Sequence, residues 1–76
     1  MGVLTARQEK LLVLFKGAIE RERETQKAYS EMLPLSDDPA IERIIENFIR
    51  QEKQHEETLL RIYNDLRKTG EFKDAT

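Results

Sequence analysis

Glu52-Lys53-Gln54-His55 places a carboxylate and an imidazole three residues apart, a spacing that brings both onto one face of a helix. Apolar residues surround the pair: Ile41, Ile44, Ile45, Phe48 and Ile49 precede it, and Leu59, Ile62, Tyr63 and Leu66 follow. With about 100° of turn per residue, Glu52 lies about 20° from the line of Ile41 and Leu59, and His55 about 40° to its other side. Two ionisable groups therefore stand where leucines are expected. Burying them without partners would cost several kcal/mol, and a metal ion is the compensation that both groups can bind.

The first half of the chain has a matching feature. Leu11, Phe15, Ala18, Ile19, Tyr29, Met32 and Leu33 form a helical stripe, and Glu22 falls near its centre. Asp37 is midway in sequence between Glu22 and Glu52, inside the chain's one obvious turn. An antiparallel hairpin thus brings Glu22, Glu52 and His55 to similar heights. Di-iron carboxylate bundles use one Glu from each of two helices and a Glu-x-x-His from each of the other two. One hairpin supplies half of that set, and a symmetric pair supplies all of it. The pair would gather four carboxylates and two imidazoles, balancing the charge of two divalent ions with oxygen and nitrogen donors suited to iron or manganese.

These residues need two long helices to position them. Thr5-Ala6-Arg7-Gln8 reads as a capping box, and the helical period runs from there to Leu33, where Pro34 disfavours continuation. Asp38 is the next N-cap, with Pro39 in the first turn, and the second helix runs to Thr69 before Gly70 ends it. The expected organisation is a single all-α unit over 1–76: helix 5–33, turn 34–38, helix 39–69 and a short frayed tail 70–76. Two helices cannot cover their own apolar stripes, and 76 residues rarely enclose a sufficient core. Dimerisation into a four-helix bundle is the expected remedy.

Composition excludes several alternatives. Without cysteine there is neither a disulfide nor a cysteinyl metal centre. The net charge of −2, with basic and acidic residues interleaved, gives no case for nucleic acid. The longest apolar run, Leu11–Phe15, is far too short for a membrane span, and Met1–Leu4 gives way at once to polar sequence, so no signal peptide is expected and the cytoplasm is the expected location. Tyr29, two turns beyond Glu22, reads as a core ring that could offer its hydroxyl to the site. Glu56 reads as a flanking carboxylate or an outer ligand. Glu20, Arg21, Arg23, Glu24 and Lys27 read as a solvated face.

Glu22-x6-Tyr29, Asp38-Pro39 and Glu52-x-x-His55 together resemble the half-ferritin unit of rubrerythrin-type proteins. They are especially similar to encapsulated ferritins, and the likeness covers roughly residues 11–67. The resemblance implies a two-helix protomer that dimerises, with Glu22, Glu52 and His55 as iron ligands and Tyr29 beside them. It further implies a ferroxidase that oxidises Fe(II) with oxygen or peroxide for iron storage or detoxification, in a homodimer or larger ring and in partnership with an encapsulin shell. The chain departs from that pattern in three places. The acidic pair that flanks the family's first ligand falls on Arg21 and Glu24, the family's C-terminal helix is not expected in the few residues after Gly70, and Glu71–Thr76 does not resemble a cargo-loading tail. The cysteines that deliver electrons in rubrerythrin peroxidases are absent too. Two other readings of the residues remain: a non-enzymatic metal-binding module, and a helical interaction module whose polar core residues only fix register.

Overall fold

The computed structural model describes residues 4–72. Within them the chain forms helix α1 over Ala6–Met32, a 3-10 turn over Leu33–Leu35 and helix α2 over Pro39–Thr69, with no strand among the described residues. Met1–Val3 and the end of the tail, residues 73–76, lie outside that span.

Local chemistry sets the helix limits. The Thr5 hydroxyl accepts from the Gln8 N–H at 3.1 Å while Gln8 Oε1 accepts from the Thr5 N–H at 2.7 Å, so two donors that the helix cannot satisfy are paired reciprocally. At the far end the helix tightens instead of stopping dead. The Leu33 N–H still donates to the Tyr29 carbonyl, and Pro34 sits inside a 3-10 turn whose geometry tolerates its missing N–H. Asp38 starts α2 by accepting from the Ala40 N–H at 2.9 Å, with Pro39 at the first position. Gly70 ends it in the left-handed region, φ 78°.

The two helices form an antiparallel hairpin whose open end is tied by Gln8 Nε2 donating to the Gly70 carbonyl at 3.1 Å. A Cβ on Gly70 would meet that Nε2 at 2.7 Å, so this position combines a positive φ with a close approach, and glycine satisfies both. The hairpin measures 54 × 25 × 13 Å. Its least dimension is about one helix diameter, so neither broad face has a covering layer. Ile19, Ile45 and Leu66 are the buried hydrophobic residues between the helices.

The apolar stripes read from the sequence are therefore divided. Ile19 and Ile45 face the other helix, while Leu11, Leu14 and Met32 on α1 and Ile41, Ile44 and Phe48 on α2 are exposed, Ile44 by 53%. The stripe is wider than one neighbouring helix can shield, so part of it stays open.

Candidate metal centre

Glu22 lies in the middle of α1, and Glu52 and His55 lie one turn apart on α2. The hairpin brings them together: one donor atom from each lies within 4.8 Å of the other two. His55 Nδ1 is 3.9 Å from Glu52 Oε2 and 4.0 Å from Glu22 Oε2. Both separations are too long for hydrogen bonds. An ion with bonds of about 2.0–2.2 Å can hold two donors as far as about 4.4 Å apart. The group thus fits a single ion with only a small contraction.

Burial sharpens the fit. Glu22 Oε2 is shut off from solvent and has no hydrogen-bond partner. A carboxylate oxygen in that state is costly unless a cation or a donor completes it. The mixed carboxylate and imidazole donors suit iron or manganese over a soft metal.

Glu22 and Glu52 are part-buried, with side chains 23% and 21% exposed, whereas the His55 side chain is 62% exposed. His55 projects on the same side of the hairpin as the uncovered Ile41, Ile44 and Phe48. The donor group therefore has a closed floor, made by the two helices, and an open mouth on the apolar face.

Tyr29 stands two turns beyond Glu22 on α1. Its half-buried ring packs on Phe48 with centroids 5.4 Å apart and planes tilted by 39°. The contact joins α1 to α2 on the turn side of Glu22 and Glu52.

Glu56, one turn beyond Glu52 on α2, reaches across to α1. Its Oε2 accepts from Arg23 Nε at 2.9 Å and its Oε1 accepts from Gln26 Nε2 at 2.6 Å, so both oxygens are engaged by α1. Glu56 lies outside the convergent group, and its side chain is 20% exposed. The bonds from Arg23 and Gln26 hold its carboxyl below the ordinary value. The sequence signal for this cluster is faint, because Arg23 and Gln26 can be matched to Glu56 only once the register of the hairpin is known. Arg21 and Glu24 are exposed on α1 and take no part in the donor group.

Among known proteins, the family described as Rubrerythrin matches residues 4–75. No curated protein and no solved structure matches the chain.

Proposed function

The chain belongs to the rubrerythrin family, and on that premise we propose that it binds iron at a centre shared by two copies and oxidises Fe(II) to Fe(III). The observation that carries this reading is the orphaned Glu22 Oε2 facing Glu52 and His55 at the edge of an uncovered apolar face. Iron is the substrate. Glu22, Glu52 and His55 bind it, and Tyr29 packs beside them.

The dimer follows from the open mouth. A second hairpin laid on the Leu11, Leu14, Ile41, Ile44 and Phe48 face would cover those residues and bring its own Glu22, Glu52 and His55 opposite the first set. Four helices, four carboxylates and two imidazoles then complete the donor pattern of a ferritin-like bundle. Exclusion of water from the joined faces strengthens the attraction between carboxylates and cations.

In this reading each of two Fe(II) ions loses one electron. Hydrogen peroxide takes both electrons with two protons and becomes two waters, whereas dioxygen takes them with two protons and becomes hydrogen peroxide. Two donor sets at one interface hold both electron donors together, which a single hairpin cannot do. The product Fe(III) passes to storage. The setting is the cytoplasm or an encapsulin compartment, with the homodimer as the smallest unit of a larger ring. Within the described residues, no helix is long and apolar enough to cross a membrane.

The test is a time course of Fe(III) absorbance under air and with added peroxide. Wild type is compared with Glu22→Ala, Glu52→Ala and His55→Ala at matched dimer concentration. Each variant is expected to fall to the buffer rate. A wild-type rate equal to buffer, alongside retained metal binding, would leave a non-enzymatic metal-binding module in place of the ferroxidase.

A further inference from the structure

The polar cluster around Glu56 lies at the level of the donor group and on the opposite side of the hairpin seam. Buried Ile19 and Ile45 mark the line along which α1 and α2 face each other. Counted from that line at about 100° per residue, Glu22, Glu52 and His55 turn about 60°, 20° and 80° toward the open apolar face. Arg23 and Glu56 turn about 40° and 20° the other way, and Gln26 turns about 20° toward the open face, so its bond to Glu56 crosses the seam. The donor group thus opens at the front of the seam, the Arg23–Glu56 bond spans its back, and Gln26 reaches Glu56 between the helices.

We propose that Arg23, Gln26 and Glu56 form a positioning brace that sets the spacing of Glu22 from Glu52 and His55 and keeps Glu56 out of the ligand set. The inference rests on the reading of Glu22, Glu52 and His55 as a metal site.

Glu22 and Glu52 repel one another in the absence of a cation, and the three donors make no hydrogen bond among themselves. Something else must hold α1 against α2 at that level. Glu56 is one turn from Glu52, Arg23 is adjacent to Glu22 and Gln26 is one turn from Glu22, so a bond between them fixes the axial and rotational setting of both backbones next to the ligands. Using both carboxylate oxygens, at 2.9 and 2.6 Å, restrains rotation as well as sliding. The bonds have a second consequence. A carboxylate next in sequence to His55 is a natural competitor for the same ion, and two donors from α1 occupy both of its oxygens.

Partners that orient a ligand typically change metal affinity by about 10–100-fold when removed. Co(II) is the probe, because the position and intensity of its visible bands report coordination number and geometry. The wild-type protein should give a bound Co(II) spectrum that His55→Ala abolishes. If it gives none, the reading of the metal site fails and the brace falls with it.

With the spectrum in hand, Arg23→Ala should weaken Co(II) binding by about tenfold or more and should alter the bands as the released Glu56 joins the ion. Adding Glu56→Ala to Arg23→Ala should remove that band change while leaving the affinity low. Arg23→Lys and Glu56→Gln, which keep polar groups that can bridge the helices, should retain wild-type bands with intermediate affinity. They also keep the comparison valid if an alanine variant folds poorly. Wild-type spectra and affinities in Arg23→Ala and Glu56→Ala, with only the metal-free melting temperature lowered, would overturn the proposal and reduce the cluster to a structural contact.

Discussion

Glu22 Oε2 on α1 faces His55 Nδ1 on α2 at 4.0 Å, too far to share a proton and near enough to share an ion. The two residues belong to different helices and meet only because the chain reverses at Leu33–Leu35. Metal bound across that gap is therefore also a clamp on the hairpin. A ligand that binds only the folded state stabilises it by mass action, by about 2.7 kcal/mol at a hundredfold excess over its dissociation constant. For a chain of this size the expected rise in melting temperature with Co(II) or Fe(II) is about 10 °C or more. Circular dichroism melts should show the rise in wild type and its loss in Glu52→Ala and His55→Ala. An unchanged response in both variants would place metal binding elsewhere.

The exposed apolar face gives the second prediction. Ile44 is 53% exposed and Phe48 is 40% exposed, so each leaves a large apolar area that its own hairpin does not cover. Changing Ile44 to Glu should leave the helical content of one chain intact while setting like charges against each other across a symmetric interface. Light scattering at micromolar concentration should show wild type as a dimer or larger and Ile44→Glu as the 9.0 kDa chain. A compact wild-type monomer, with and without metal, would defeat the shared centre.

The third concerns acid. Arg23 first, then Gln26, hold the Glu56 carboxyl below its ordinary value of 4.5. The folded value is thus below the unfolded one, so the stabilisation is fully present above about pH 5 and is lost as pH falls through the lower, folded value. Arg23 is 58% exposed, and solvent screens the pair, so the effect is modest. Metal-free wild type should melt higher than Glu56→Gln at pH 6, and the gap should close on acidification toward pH 3. A gap that stays constant would mean that the charge of Glu56 contributes nothing to it.

Much of the fold was legible because the signals that carry it are local. Thr5 with Gln8 and Asp38 with Pro39 begin helices through bonds to backbone two or three residues away, and Gly70 ends one through its own φ. The convergence of Glu22, Glu52 and His55 was legible for a different reason: each interrupts an apolar stripe, and a hairpin turning near Asp37 sets them at one height. That two helices leave part of their stripes uncovered was legible from the chain's length, but that Leu11, Met32 and Ile41 are among the residues left exposed was not. Periodicity states that a face is apolar, and cannot state whether the same chain or another covers it. The brace was hidden more deeply. On one helix Arg23 reads as part of a solvated face, and only the packed register brings Glu56 to it and to Gln26.

The last prediction separates the roles of three residues on α1. Glu22 and Glu24 are two residues apart, about 200° round the helix, so at most one can face the donor group. Glu22 does, and Glu24 is exposed. In the Fe(III) time course Glu22→Ala should fall to the buffer rate, while Glu24→Ala should keep the rate within about twofold, because a solvated charge acts at most on ion approach through screened solvent. Tyr29 tests packing against chemistry. Its ring rests on Phe48, so Tyr29→Phe keeps that contact and should leave folding and metal affinity unchanged. Tyr29→Ala removes the ring and should lower the melting temperature in the manner of a large-to-small core change. If the hydroxyl serves the site, Tyr29→Phe slows turnover at unchanged affinity; if only the ring matters, Phe behaves as wild type and Ala alone is impaired. Equal loss of activity in Glu22→Ala and Glu24→Ala would contradict the helical phase of α1 on which the donor group depends.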